Sequence, residues 1–396
     1  MSPGRIVQRL IFTVVLGVLH ACGGGGGEGD GGLIGVPPGE GPPGGIGVFK
    51  DSNVTGLSYT SGSRTGLTRQ DGSFDYELNQ PTTFKVGAVT LGTTVGNSVV
   101  TPIDLVADGS STTPAVLNVA RFLMMLDADG DAENGIVISA NTQARAANWA
   151  QLNFADASVD TALETLAIDA RSADAGAHVV PSAEQARLHI EATFRCAVSG
   201  AFRGTFAGSE QGRFGVIITP NSGQLVGAGM VTNQLSQFDI TSTSLLSVDQ
   251  KATISAQSVQ TGATFAGHFT WSDILSGTWA NTGTAGGTFT GNRLLGRSDA
   301  VYRYSGFFSD LALPDSGPVT FDVDAAGQVK GVAYALIRDQ LIDFSGTLTN
   351  NTLAATATNG AVINATISPL FGALVDGTWT GTGAAGTFSA IGCRLN

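Results

Sequence analysis

The C-terminal half of the chain carries one block of residues twice, and this duplication limits the folds open to it. Residues 275–294 read LSGTWANTGTAGGTFTGNRL and residues 375–395 read VDGTWTGTGAAGTFSAIGCRL, with the Gly-Thr-Trp triplets 100 residues apart. Each block ends a segment of short alternating strands separated by Gly, Asn or Asp turns. The pattern predicts two successive β repeats, residues 196–297 and 298–396, of about eight antiparallel strands each.

Further anchors align the two repeats. G-Q-L-V-G at 223–227 matches G-Q-V-K-G at 327–331, G-A-T-F at 262–265 matches G-A-V-I at 360–363, and S-G-A-F at 199–202 matches S-G-F-F at 305–308. A closed barrel or a two-sheet sandwich would remove the exposed strand edges, and the pattern leaves both architectures open. Trp279 and Trp379 either line a ligand mouth or pack in the core. Arg293 and Arg394 are expected to close a barrel end or to pair with an acid.

The composition agrees with a β-rich exported protein. Charged residues make up 13% of the chain, which is about half of the usual ~25%, while 55 of 396 residues are glycine. Hydrophobic residues reach 42%, enough to bury a core. The formal net charge of −12 argues against a nucleic-acid partner, because phosphate backbones are bound by clustered Lys and Arg.

The first residues predict export and lipid attachment. Arg5 and Arg9 precede an apolar run at 10–19 that is too short to span a bilayer and fits the core of a signal peptide. Leu19-His20-Ala21-Cys22 resembles a bacterial lipobox, which implies removal of residues 1–21 and acylation (palmitate-type) of Cys22. The Gly/Pro-rich residues 22–45 then form a tether. The expected location is the outer membrane, and an ordinary signal peptide with an incidental cysteine is the alternative.

Residues 46–109 predict a small β module. D-G-S-F-D-Y at 71–76 indicates a tight turn that leads into a strand, and T-T-F-K-V at 82–86 alternates in the manner of a strand. The order of these turns and strands resembles the small immunoglobulin-like repeats of bacterial surface proteins and carboxypeptidase regulatory domains. That resemblance implies a spacer or binding unit.

Residues 110–195 predict helices around an acidic loop. A helix is expected from Thr113-Pro114, and another after Ser182 as its cap. Between them, Asp127, Asp129 and Asp131 stand at positions 1, 3 and 5 of a calcium-type loop, and Glu133 or Asn134 could complete the set of ligands. Position 4 is Gly and position 12 is Ile138, which departs from an EF-hand. Calcium is therefore a candidate ligand, and a solvated acidic turn is the alternative.

The combination of helix, D-x-D-G-D-x-x-N-G-I loop and closing P-S-A-E-Q-A helix resembles many uncharacterised proteobacterial lipoproteins over residues 46–195. The resemblance implies no established activity.

Two cysteines remain if Cys22 is acylated. Cys196 and Cys393 frame the duplicated half in a chain expected in an oxidising compartment, so they are predicted to form a disulfide. Such a bond would place the start of the first repeat beside the end of the second. It would favour one joint structure over two repeats that each close alone.

No catalytic motif marks the chain as an enzyme. H-E-x-x-H, G-x-S-x-G, C-x-x-C and Walker patterns are absent from the sequence, and His189 reads as a histidine packed at a surface edge. The favoured function is a non-catalytic outer-membrane lipoprotein that binds a ligand, a glycan or a protein partner, at residues the sequence does not identify. The alternatives are a structural or assembly component of the envelope without a small ligand, and an envelope hydrolase.

Overall fold

The computed structural model describes residues 43–232, 236–283, 285–296, 300–311, 315–367 and 374–395. The predicted signal peptide, Cys22 and most of the predicted tether lie outside these residues. The described chain is mainly β, with four α-helices, small N-terminal sheets and two closed eight-stranded antiparallel barrels. None of the helices in these ranges is both long and apolar enough to cross a membrane.

The N-terminal part is a β module with an aromatic core. Its strands are β1 (Gly44–Phe49), β2 (Val54–Thr55), β3 (Ser58–Ser61), β4 (Arg64–Leu67), β5 (Ser73–Glu77), β6 (Pro81–Val86), β7 (Val89–Val95) and β8 (Val99–Val100). All of them except β2 form one sheet in the order β5-β1-β8 and a second in the order β4-β3-β6-β7. Phe84 packs against Phe49 and Phe74 at ring distances of 4.8 and 5.0 Å.

The helical segment connects the module to the first barrel. It contains α1 (Pro114–Met125), β9 (Ile136–Val137), α2 (Ala140–Ala146), α3 (Val159–Ala170) and α4 (Ala183–Val198). Pro114 occupies the first turn of α1, and Ser182 caps α4 through the backbone N–H of Gln185, as expected. Strand β9 pairs with β2 of the module. The apolar faces of α1 and α4 pack into one core with the first barrel.

Each repeat forms its own barrel of eight strands. The first contains β10 (Gly200–Gly208), β11 (Gly212–Ile218), β12 (Leu225–Val231), β13 (Ser236–Ser242), β14 (Thr253–Gln257), β15 (Thr264–Thr270), β16 (Ile274–Ala280) and β17 (Gly286–Arg293). The second contains β18 (Tyr302–Asp310), β19 (Ser316–Val323), β20 (Gln328–Ala335), β21 (Gln340–Thr349), β22 (Thr352–Ala357), β23 (Val362–Thr366), β24 (Leu374–Gly381) and β25 (Ala384–Arg394). The pairs β10–β17 and β18–β25 close the two barrels.

Strand register gives the structural correspondence between the repeats. Phe206 pairs with Phe289 in the first barrel, and Phe308 pairs with Phe388 in the second, so Phe206 corresponds to Phe308. The alignment of S-G-A-F at 199–202 with S-G-F-F at 305–308 is therefore wrong by four residues. The other anchors stand at matching register positions in both barrels.

The two barrels are separately closed and yet joined. Cys196 at the end of α4 and Cys393 in β25 form the predicted disulfide, with their Cα atoms 5.8 Å apart. Arg213 donates hydrogen bonds to the carbonyl oxygens of Leu336 and Ile337, at 2.7 and 2.6 Å. The expectation that this disulfide disfavours separate closure was wrong, because the bond links the approach to one barrel with the last strand of the other.

Arg293 pairs with an acid, which was one of the two expectations for it. Its guanidinium lies over the rings of Phe202 and Phe269, at 5.2 and 5.3 Å, and its Nε donates to Asp273 at 3.1 Å. The same guanidinium donates to the carbonyl oxygens of Ala197 and Val198, so it joins the end of α4 to the barrel.

Candidate functional site

The second barrel encloses a cavity of about 360 Å³ that opens at one end. Arg338, Asn359 and Thr382 line it, and they belong to the turns β20–β21, β22–β23 and β24–β25, so the mouth lies at that end of the barrel. The wall is apolar and aromatic, formed chiefly by Phe308, Val319, Ile342, Phe344, Ile363, Trp379 and Phe388.

The corresponding space in the first barrel is filled, with a cavity of only about 30 Å³. Gly229 pairs with Phe214 on one side and Phe238 on the other, whereas Ala333 pairs with Val319 and Ile342. Two phenylalanines of the first barrel therefore correspond to a valine and an isoleucine in the second.

A third phenylalanine of the first barrel also corresponds to a smaller aliphatic residue in the second. Phe265 pairs with Trp279, and Ile363 pairs with Trp379 at the same position of the second barrel. Phe265 stacks on Phe238 at 6.3 Å and meets Phe289 edge-on at 6.2 Å. The loss of three rings from one layer leaves the second barrel hollow.

A glycine accompanies one of the filling rings. A Cβ on Gly229 would fall 2.2 Å from the ring of Phe238, so this phenylalanine requires glycine beside it. In the second barrel Ala333 stands beside the smaller Ile342. The exchange of Gly-Phe for Ala-Ile was present in the sequence, and the aligned repeats would have revealed it.

The paired tryptophans have different surroundings although they are anchored alike. The indole Nε1 of Trp279 donates to the Ala207 carbonyl at 3.1 Å, and that of Trp379 donates to the Ser309 carbonyl at 3.1 Å. Trp279 is 5% exposed and belongs to the core, whereas Trp379 is half-buried and lines the cavity. Trp279 therefore packs in the core, as one alternative had it, while Trp379 lines a cavity.

Aromatic rings of the second barrel's core contact Phe344, which lines the cavity. Tyr304 stacks on Phe321 at 4.8 Å, and Phe321 contacts Phe344 at 6.2 Å. Burial raises the pKa of Tyr304 to about 12. Nearby, the buried Arg303 pairs with Asp322 through two hydrogen bonds of 2.8 Å.

The mouth carries a charge that is already neutralised. Arg338 is the one charged residue among the described residues that line the cavity, and its Nε donates to Asp315 at 2.6 Å. A second carboxylate, Asp310, lies 3.8 Å from its guanidinium. Gln340, Asn359 and Thr382 add uncharged polar groups at the rim. This arrangement suits a ligand with an apolar body and an uncharged polar end.

The acidic loop lies between α1 and β9. Asp127 is 1% exposed, and its Oδ1 accepts a hydrogen bond from the Val137 backbone N–H at 2.8 Å. Burial raises the pKa of Asp127 to about 6. Asp129 and Asp131 are exposed. In the ranges that the structure describes, no group of three or more His, Cys, Asp or Glu side chains is already arranged to hold a metal ion.

Glu133 contacts His189 of α4. Its Oε1 lies 3.1 Å from His189 Nδ1, and Asp51 Oδ1 lies 3.5 Å from His189 Nε2. Burial lowers the pKa of His189, but the hydrogen bond with Glu133 and the charge of Asp51 outweigh it, so the pKa is raised overall. His189 is 4% exposed, so the prediction of a surface-edge histidine was wrong. Helical periodicity does not reveal which other segment covers a helix face.

Comparisons with known proteins give no identity. No family model matches the chain, and no curated protein matches it. The crystal structure of kievitone hydratase from Nectria haematococca is 5% identical with a TM-score of 0.20, covering 52% of this chain and 91% of that one. A DUF3598-family protein of unknown function from Nostoc punctiforme is 9% identical with a TM-score of 0.13, covering 52% and 98%. Likenesses this low carry no argument about function.

Proposed function

We propose that the protein is a non-catalytic envelope protein that binds a small, largely apolar molecule inside its second barrel. The observation that carries this proposal is the contrast between the two repeats. The same fold encloses about 30 Å³ in the first barrel and about 360 Å³ in the second. The larger volume lies at the lower end of the ~300–1,000 Å³ range of small-molecule sites.

The chemistry of the wall defines the class of ligand. Aromatic and aliphatic side chains surround the cavity, and the cation at its rim is held by Asp315. A charged group inside would lose its hydration without gaining a counter-ion. The ligand is therefore an uncharged apolar molecule with one polar end that meets Gln340, Asn359 or Thr382 at the mouth.

The test fills the cavity with the residues of the first barrel. The filled variant carries Ala333→Gly, Ile342→Phe and Ile363→Phe, so that the glycine makes room for the ring at 342. Its matched control carries Leu341→Phe and Val362→Phe. The native side chains at these positions are 41% and 48% exposed and directly precede Ile342 and Ile363 on the same strands. Both are compared with the parent protein for binding of the uncharged fluorophore N-phenyl-1-naphthylamine.

Saturable binding to the parent and control proteins, with at least a tenfold weaker affinity in the filled variant, is the expected result. Equal binding by a filled variant that keeps the parent's circular dichroism would show that the cavity is not the site. The proposal would be overturned if neither this probe nor a series of aliphatic alcohols binds to any of the three proteins.

The proposal places the protein at the outer membrane through a lipid on Cys22. It rests on the lipobox-like sequence and the Gly/Pro-rich residues that follow. Two acyl signals are needed for stable anchoring, and bacterial lipoprotein processing supplies more than one chain. Growth with radiolabelled palmitate tests this: label is expected on the parent and not on Cys22→Ser. If the parent protein is not labelled, the proposed lipid anchor is refuted. The proposed binding of a ligand in the cavity is not affected by that result.

A further inference from the structure

A buried carboxylate oxygen at the acidic loop has no hydrogen-bond partner. Asp127 is 1% exposed, and while its Oδ1 holds the Val137 N–H at 2.8 Å, its Oδ2 is buried and unpaired. The carboxylate of Asp129 lies within hydrogen-bonding reach of the same group. Two carboxyl groups thus lie side by side, and the backbone N–H groups of Val137 and Gly130 that reach Asp127 leave its Oδ2 without a partner. An unsatisfied buried acceptor of this kind destabilises a fold unless a ligand completes it.

The outer carboxylates converge on one position. The side-chain nitrogen of Asn134 contacts Asp129 Oδ2 at 3.0 Å and Asp131 Oδ2 at 3.3 Å. A single atom at that point therefore reaches both carboxylates. Rotation of the Asn134 amide by a half turn would present its oxygen to the same position.

Carboxylate and amide oxygens in this number suit a hard cation. Calcium takes six to eight oxygen ligands at about 2.3–2.6 Å and tolerates irregular geometry, with water filling open positions. Magnesium requires a nearly ideal octahedron at shorter distances, which an irregular loop is less able to supply. Glu133 is left out of the ligand set because its carboxylate is engaged by His189 at 3.1 Å.

We infer that the loop is a calcium site formed by Asp127, Asp129, Asp131 and the amide oxygen of Asn134. The ion would lie between the buried Oδ2 of Asp127 and the two exposed carboxylates, and it would offset the repulsion among all three. Asp127 also holds the backbone of β9, which pairs with β2 of the module. Calcium would therefore tie the β module to the helical segment. This inference is independent of the barrel cavity.

Thermal unfolding of the full-length mature protein in EGTA and in 5 mM calcium chloride tests the site. The variants are Asp127→Asn and the double variant Asp129→Asn/Asp131→Asn. Asp156→Asn is the matched control, because Asp156 is an exposed loop aspartate that accepts the Ser158 N–H at 2.8 Å in a turn of the same kind. Isothermal titration with calcium and with magnesium gives the affinity directly.

Calcium is expected to raise the melting temperature of the parent and of Asp156→Asn by several degrees, since a ligand that binds only the folded state stabilises it. Both site variants should lose this shift. In EGTA, Asp127→Asn should melt no lower than the parent, because the amide relieves the repulsion with Asp129. The inference is overturned if calcium leaves the parent unchanged, or if the shift survives in both site variants.

Discussion

Trp279 and Trp379 occupy the same position in the two barrels and make the same two contacts. Each indole donates to a carbonyl oxygen of the first strand at 3.1 Å, and each meets a phenylalanine of that strand edge-on, at 5.9 Å from Phe206 and 6.5 Å from Phe308. Their surroundings differ because Phe265 stands opposite the first and Ile363 opposite the second. One framework thus supports a packed interior and a hollow one.

Opening the first barrel should create a second cavity. The opened variant carries Gly229→Ala, Phe238→Ile and Phe265→Ile, which are the residues of the second barrel at the same positions. We expect it to lose about 2–4 kcal/mol of unfolding free energy, because large-to-small changes in a core leave a cavity. Urea unfolding measures the loss. Titration with N-phenyl-1-naphthylamine should then show two sites, and an unchanged stability with one site would contradict the correspondence of the barrels.

Loss of the disulfide should lower the free energy of unfolding of the protein. Cys196 and Cys393 are 197 residues apart in sequence, so their bond strongly restricts the unfolded chain. The double variant Cys196→Ser/Cys393→Ser is expected to be about 2–4 kcal/mol less stable in urea unfolding. Dithiothreitol should destabilise the parent by a similar amount and leave the double variant unchanged. Two free thiols in the parent under non-reducing conditions would refute the bond.

Protonation of His189 should stabilise the fold. Its pKa in the folded protein is raised above the ordinary value of 6.5 by Glu133 and Asp51, despite its burial. The stabilisation is therefore fully present below pH 6.5, and it is lost as the pH rises through the folded-state pKa. We expect the difference in unfolding free energy between the parent and His189→Gln to shrink over that range, measured in EGTA.

The matched control for this experiment is His268→Gln, since His268 is exposed on β15. Its difference from the parent should vary little with pH. If the difference in unfolding free energy between the parent and His189→Gln grows as the pH rises, the predicted direction of the His189 effect is wrong.

The buried pair Arg303–Asp322 should be costly to break. Arg303 is 1% exposed and Asp322 is 4% exposed. Asp322→Asn would leave a buried guanidinium without its carboxylate, and we expect a loss of about 3–5 kcal/mol. The control is Asp75→Asn, which removes the partner of Arg69 in a largely exposed pair and should cost about 0–1 kcal/mol. Chemical unfolding of both variants measures the contrast, and equal losses would refute it.

Local patterns were sufficient for part of the fold. Alternation, turn residues and the repeated Gly-Thr-Trp block predicted two β repeats of about eight strands, and Pro114 and Ser182 predicted where two helices begin. The pairing of Cys196 with Cys393 also followed from the sequence and is confirmed. These features depend on residues near one another in the chain, or on the small number of cysteines available.

Only the tertiary structure decided how each repeat closes and what it encloses. Whether a repeat forms a barrel or a sandwich depends on whether its first strand pairs with its last, β10 with β17 and β18 with β25. Those strands are some 80 residues apart in sequence. The interior volume depends on side chains from different strands that share one layer, such as Val319, Ile342 and Ile363. His189 is another example, because its partners Asp51 and Glu133 come from distant segments. Periodicity records which face of a strand or helix is buried, but packing between distant segments determines whether the space against that face is filled.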